Sequence, residues 1–442
     1  MTRIIVAATS IYGHVAPMLT VAKDLIARGH DVTFVTGSAY REVVEATGAT
    51  FAPVAGAADI DMGVEVNRPE RLALAPGIEQ FAYDMRALFI DAIPEQFRVL
   101  DRLLAEAGEP VVLVHEVWFW GGVPFSLGAA TPHAPSATIA VGITQLTVSS
   151  IDLAPYGAGL PPERTELGRA RNRKLHQHQL AGPLGQTQRH YDDTLRTLGV
   201  FGEVPYFLDT VAHHSDRLLQ LSLEELSYVR PDLPKTVEFV GALPSPPANV
   251  DLPAWWNEVV QADQVVVVTQ GTFANHDLTE LLEPAMQALA DLPVLVVAAT
   301  GCDVTLTDIP ENARVAQYIP FAQLLPETDL LITNGGFGGV QQSLSYGVPM
   351  ALAGVAEEKL ESNVRVAATG AAIDLATQRP TPAAIRAAAL EVLGNKDYRV
   401  AAGRLQTQYA ELDPLAAVAA TVDELSGAAA TDPFPGPGGF NR

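Results

Sequence analysis

"TNGGFGGVQQSLSYGVP", residues Thr333–Pro349, decides how this chain reads. It follows the apolar run "TDLLI" and places four glycines in its first seven residues. Glycine tolerates positive φ and lets a ligand approach the main chain, at an entropic cost to folding. Val340 to Tyr346 have the pattern of a helix start, so the glycines stand between a strand end and a helix N-terminus. There the free N–H groups and the positive end of the helix dipole point outward together, which suits an anion such as phosphate. The spacing is neither the dinucleotide fingerprint nor a P-loop, and no Lys-Ser or Lys-Thr follows, which disfavours an ATPase. Such turns also serve tight packing alone, and spacing by itself leaves both readings open.

The same strand-then-helix rhythm fills the chain on both sides of this stretch. "RIIVAAT" (Arg3–Thr9), "DVTFVTG" (Asp31–Gly37), "PVVLVHE" (Pro110–Glu116), "SATIAVG" (Ser136–Gly142) and "RLLQLS" (Arg217–Ser222) are continuous apolar runs. Such runs mark parallel strands buried on both faces. Between the first two, "APMLTVAKDLIARGHD" has helical apolar spacing and Gly29 as a stop, giving a βαβ unit. The alternation restarts with "QVVVVTQ" (Gln264–Gln270), "LPVLVVAAT" (Leu292–Thr300), "DLLIT" (Asp329–Thr333) and "PMALAG" (Pro349–Gly354). The proline-dense "GALPSPPANVDLPAWW" (Gly241–Trp256) interrupts both halves and reads as a linker. Two doubly wound α/β domains facing across a cleft are therefore expected, joined near residue 245. Boundaries are placed at 1–242, 243–256 for the linker and 257–426, with the last helices free to pack back on the first domain. Residues 427–442 are Gly/Pro-rich and are expected to be a disordered tail. Ligands in such sheets bind beyond the carboxyl ends of the strands.

Composition narrows the function. A chain of 442 residues exceeds one ordinary core, in keeping with two domains. With 28 Lys+Arg against 51 Asp+Glu, the formal charge is -23. That charge repels nucleic-acid backbones and anionic membranes, so no nucleic-acid or membrane partner is expected and an anionic ligand must be held locally. One cysteine, Cys302, excludes an internal disulfide framework and fits a reducing cytoplasm. The N-terminus carries no signal-type apolar stretch, and no run is of spanning length.

Signals at the strand ends of the first domain point to chemistry. In "SIYGHVAPML", His14 sits between the turn residue Gly13 and a helix start marked by Pro17. A neutral imidazole there can accept a proton near pH 7. Glu116, ending "PVVLVHE", can orient and charge-stabilise that imidazole, with His115 as the competing neighbour. An inert loop histidine and a strand-end carboxylate acting as a cap are the ordinary explanations.

"GHVAP", "GTFANHD", "VAQYIPFAQLLPETDLLIT", "NGGFGGVQQSLSYGVP" and "EEKLESNVRV" occur in an order and spacing that resemble family 1 glycosyltransferases of bacterial, antibiotic-modifying type. The resemblance runs from the first strand to about residue 425. It implies the GT-B fold, an acceptor on the N-terminal domain and a nucleotide-sugar donor on the C-terminal domain. It also implies an inverting hexosyltransferase with no metal and no resident cofactor, its co-substrate best taken as UDP-glucose. His14 then corresponds to the general base and Glu116 to its acidic partner, although the family usually has Asp there. Gly335, Gly336, Gly338 and Gly339 would cradle the pyrophosphate, and Gly271 and Thr272 match the family's turn near the phosphates. Tyr318 and Ile319 of "QYIP" fall where backbone meets the uracil edge, steadied by a preceding strand. Gln342 stands where a Glu commonly binds ribose.

Three departures from the family pattern stand out. Asn334 replaces a His that contacts phosphate, its amide N–H still able to donate. Gly339 replaces a Thr and leaves only backbone. Glu358-Lys359 replaces the sugar-reading Asp-Gln pair and leaves the sugar open. On the acceptor side, "VWFWGG" (Val117–Gly122) and Ile78–Phe97 concentrate aromatics and Met, either as pocket lining for a macrolide, ansamycin, other polyketide or flavonoid, or as core. "HQH" (His176–His178) has no further ligands nearby, and no metal is assigned. A monomer or homodimer is expected. The alternatives are a sugar-nucleotide epimerase of the same fold and a catalytically silent homologue acting as a partner protein; the presence of His14 argues against the second.

Overall fold

The computed structural model describes residues 1–75, 77–244, 251–271, 277–304, 306–355 and 359–431. It has two parallel sheets. The first contains β1 (Arg3–Ala7), β2 (Asp31–Thr36), β3 (Thr50–Pro53), β4 (Val111–Glu116), β5 (Ala137–Gly142), β6 (Arg217–Gln220) and β7 (Val237–Phe239), in the order β3-β2-β1-β4-β5-β6-β7. The second contains β8 (Val265–Thr269), β9 (Leu295–Ala299), β10 (Ala313–Ala316), β11 (Leu330–Thr333), β12 (Met350–Leu352) and β13 (Ala372–Asp374), in the order β10-β9-β8-β11-β12-β13. Among the described residues no helix is long and apolar enough to cross a membrane.

The continuous apolar runs become strands because both faces are covered. In β1, Ile4 and Val6 face a core with Val15, Met18 and Val21 of the Tyr12–Ala27 helix, while Ile5 and Ala7 face a second core with Leu100 and Phe119. In the second sheet, Val265 and Val267 enter one core and Val266 and Val268 the other. That period of two with neither face polar is the signature of a parallel sheet between helix layers.

The two halves are interlocked. Leu223 and Leu226, which follow β6, pack in the second sheet's core. The Pro414–Thr431 helix returns to the first sheet, burying Val418, Ala419 and Val422 against β4, β5 and β6. It also runs into the segment expected to be a tail, since "GAAAT" at its end is rich in the best helix former. Residues 432–442 lie outside the described residues.

Two helix starts differ from expectation. The first helix begins at Tyr12, upstream of His14, and Pro17 lies inside it, forfeiting only the bond to Gly13 close to the helix end. The glycine-rich helix, Phe337–Ser345, begins at Phe337 and not at Val340, because Gly336 takes the extended N-cap conformation and leaves the last two glycines within the first turn.

Candidate active site

Each sheet reverses its strand order once, and each reversal places candidate residues at a crevice. In the first sheet the reversal lies between β1 and β4, in the second between β8 and β11. His14 follows β1 and Glu116 ends β4; Gly271 follows β8 and Asn334–Gly339 follow β11. Open α/β sheets bind ligands at such switch points.

His14 and Glu116 meet. Nδ1 of His14 lies 3.2 Å from Oε1 of Glu116, whose side chain is fully buried, while the imidazole retains 13% exposure. The approach is bent, short of a straight hydrogen bond. Oε1 also accepts the Thr9 N–H at 3.1 Å, and Oε2 accepts the Trp118 N–H at 2.6 Å. The carboxylate therefore ties together the turn after β1 and the end of β4. Burial raises the Glu116 carboxyl, but the His14 imidazole and the two amide donors outweigh it and hold the group below the ordinary carboxylate range. An ionised carboxylate only accepts, so Nδ1 is the ring nitrogen placed to present an N–H to Glu116, and Nε2 is the nitrogen that does not face the carboxylate. The competing His115 is fully buried on the opposite face of β4, its Nδ1 2.9 Å from the Glu116 backbone oxygen. Burial pushes its imidazole down, against the raising pull of Glu116, so it stays neutral.

Aromatic side chains wall this pair. The ring of Phe89 stacks on His14 with centroids 5.9 Å apart, and Trp118 packs on Phe89 at 5.2 Å. Phe89 belongs to a π-helical turn, Met85–Ile90, a local widening often found at functional sites. Trp118, Trp120, Met85 and Phe89 are all buried in one cluster. The aromatic stretches thus serve as core, and the same cluster forms the apolar wall behind the imidazole.

The glycine junction presents free backbone. Gly338 is exposed, Gly336 and Gly339 are half-buried, and a Cβ added at Gly336 or Gly338 would meet no heavy atom within 4 Å. The first amides of the Phe337–Ser345 helix have no helical partner, so they face this open space. Gly335 has a different task. Its φ is +85°, and a Cβ there would collide with the Asn363 side chain. Asn363 in turn donates Nδ2 to the Gly354 carbonyl at 3.2 Å. Nothing in the sequence alone singles out Asn363 within "EEKLESNVRV", because its role depends on the distant Gly335.

Other expected donor residues are partly occupied within the protein. Asn334 is buried and donates Nδ2 to the Gln270 carbonyl at 2.5 Å, bridging the ends of β8 and β11. Gly271, at φ +75°, donates its N–H to Thr269 Oγ1 at 3.2 Å. Ile319 is buried in the second core, leaving its backbone as the usable part, whereas Tyr318 is 54% exposed. Burial and the nearby Tyr12 phenol push the Tyr318 hydroxyl up. Gln342 is half-buried on the glycine-rich helix. Lys359, at the start of the Lys359–Ala368 helix, is buried and engaged within the protein, with its stem beside Gly354. Thr272 and Glu358 lie outside the described residues. Nε2 of His176 lies 3.4 Å from the Leu153 carbonyl oxygen, and among the described residues no three potential ligands converge on a metal position.

Residues 282–425 match the family described as "Erythromycin biosynthesis protein CIII-like, C-terminal domain". The chain is 38% identical over 440 residues to UDP-glycosyltransferase 2 of Phaeomoniella chlamydospora, covering 96% of each protein. It is also 38% identical over 427 residues to 4'-demethylrebeccamycin synthase of Lentzea aerocolonigenes, covering 96% of this chain and 99% of that one. Among solved structures, CalG4, the calicheamicin glycosyltransferase, superposes with a TM-score of 0.71 at 22% identity, covering 96% of this chain and 98% of that one. The glycosyltransferase of kitacinnamycin does so with a TM-score of 0.70 at 22% identity, covering 96% and 100%. At that identity the structures speak for the GT-B fold alone.

Proposed function

This chain belongs to the family 1, antibiotic-type glycosyltransferases, and from that membership we propose that it moves glucose from UDP-glucose to a hydroxyl of a hydrophobic small molecule. The observation that carries the mechanism is the His14–Glu116 pair at the first switch point. Nε2 of His14 takes the acceptor's hydroxyl proton as the oxygen bonds to the anomeric carbon. The bond from that carbon to the diphosphate oxygen breaks on the opposite face, so an α-linked donor gives a β-glycoside. Glu116 stabilises the imidazolium that results. Charge accumulating on the departing UDP meets the unpaired amides and dipole of the Phe337–Ser345 helix, which do the work without a divalent metal.

The choice of donor and acceptor draws support from the relatives' names. UDP-glucosyltransferase A1 of Starmerella bombicola is 34% identical over 94% of this chain, and 4'-demethylrebeccamycin synthase bears the name of a natural product. The apolar wall of Phe89 and Trp118 beside His14 suits a ring-containing acceptor such as a polyketide, macrolide or flavonoid. The cytoplasm is the proposed site of action. The test is a mass-spectrometric screen of UDP- and dTDP-sugars, each with and without a hydrophobic phenol. Glucoside formed from UDP-glucose is the expected product. A donor whose sugar is epimerised without any acceptor, or no turnover of any donor, would overturn the proposal.

A further inference from the structure

The Lys359–Ala368 helix of the second half grips a loop of the first half. Oε1 of Glu361 accepts two backbone N–H groups, from Gly157 at 3.0 Å and Gly159 at 2.9 Å. Its Oε2 accepts from Arg365 at 3.1 Å, and Arg365 reaches back to Gln145 Oε1 at 3.3 Å while lying over the Tyr228 ring. Glu361, Arg365 and Gln145 are all buried. Gly157 and Gly159 both have positive φ, +88° and +59°, a conformation that turns their N–H groups toward one carboxylate oxygen. Leu360 packs so closely on Gly159 that a Cβ there would lie 2.9 Å from its Cγ.

What this grip holds leads to the reacting centre. Tyr156, next to Gly157, packs on Phe81 with centroids 6.1 Å apart. Phe81 lies on the Ile78–Asp84 helix, which runs directly into the π-helical turn bearing Phe89, the ring stacked on His14. The grip therefore joins a helix that begins at the sugar-reading position Lys359 to the wall of the acceptor side. A surface ion pair would contribute little, whereas a buried carboxylate receiving three donors is a strong, directional link.

We propose that Glu361 is a positioning residue that clasps the Gly157–Gly159 loop to the donor-side helix and so closes the acceptor side of the reaction site against water. The inference rests on the transferase reading above. Active-site closure of this kind both completes the acceptor pocket and keeps water from competing for the activated sugar.

The test compares full-length wild type with Glu361→Gln, whose single, uncharged acceptor oxygen cannot serve both the glycine amides and Arg365. Three quantities are read: acceptor KM, the fraction of UDP-glucose consumed that ends as free glucose, and the UDP dissociation constant by calorimetry. The expected result is an acceptor KM raised at least roughly tenfold, the scale of a lost charge-assisted hydrogen bond, with more free glucose and a UDP dissociation constant within about twofold. Hydrogen exchange supplies a readout independent of activity: the Gly157 and Gly159 amides should lose protection while the strands of both sheets keep theirs. Unchanged acceptor KM and unchanged partition, or weakening of UDP binding in step with acceptor KM, would overturn the clasp. Should Glu361→Gln not fold, Glu361→Asp, one methylene short, is read by the same measurements with the same expected directions. Absence of any transfer by wild type defeats the function itself; wild-type transfer with an indifferent variant defeats the clasp alone.

Discussion

Glu116 is one methylene longer than the aspartate that the resemblance leads one to expect, and its length lets a single carboxylate meet His14, Thr9 and Trp118 at once. If Nε2 of His14 takes the proton, His14→Ala should lower kcat for transfer at least roughly a hundredfold with UDP affinity nearly unchanged, by steady-state kinetics and calorimetry. Glu116→Gln should also slow transfer, whereas His115→Ala, on the other face of β4, should spare kcat in the fraction that folds. Because the Glu116 carboxyl is held below its ordinary value of 4.5, its contribution to stability is complete above that value and is lost as pH falls through the folded value. The stability gap between wild type and Glu116→Gln, from urea unfolding, should therefore shrink on acidification below about 4.5; a gap that widened would contradict the assignment. Both residues were legible, since each ends or follows an apolar strand. What the chain alone left open was the choice between Glu116 and His115. A strand's alternation settles it only once the neighbours on each face are known.

At the scale of the element, the glycine-rich junction divides its labour. Gly335 supplies the positive φ and the close approach to Asn363, while Gly338 leaves open space over the helix N-terminus. Gly335→Ala should cost about 2 kcal/mol or more of stability, because the backbone is strained and Asn363 must move. Gly338→Val should leave thermal unfolding nearly unchanged yet weaken UDP binding at least roughly a hundredfold, because its side chain would enter the open space proposed for the anion. A folded Gly338→Val protein with normal UDP affinity would remove the phosphate assignment. The glycines announced the junction but not its division, since φ and the partner Asn363 depend on a helix more than twenty residues away along the chain. Strand recognition failed in a similarly physical way. β3, β7, β10 and β13 are the edge strands of the two sheets, and "TFAP", "VEF", "ARVA" and "AID" are short and only partly buried. Of these, only the strand before Gln317 is anticipated, through its neighbour "QYIP". Central strands, covered on both sides, carry the continuous apolar runs that a reader can see.

Across the whole molecule, each of the two sheets carries one switch point, and the Pro414–Thr431 helix binds the halves by returning to the first. Val422 is fully buried in that first core, so Val422→Ala should destabilise the fold by on the order of 2 kcal/mol, measured by urea unfolding. Doubly wound domains were legible from the repeated alternation of strand and helix. The crossings of Leu223, Leu226 and the last helix were not, because apolar periodicity says which face is buried and not against which sheet. The clasp of Glu361 on Gly157 and Gly159 escaped for the same reason, its partners lying about two hundred residues apart. All of this geometry serves one claimed event, the attack of a hydroxyl on an anomeric carbon with His14 as base and amides, not a metal, receiving the leaving group. Nuclear magnetic resonance of the glycoside formed from UDP-glucose and a hydrophobic phenol, in excess EDTA, tests it most directly. The account predicts a β-linked glucoside, formed by wild type and nearly absent with His14→Ala. An α-linked product, a strict need for magnesium, or undiminished β-glucoside from His14→Ala would contradict it.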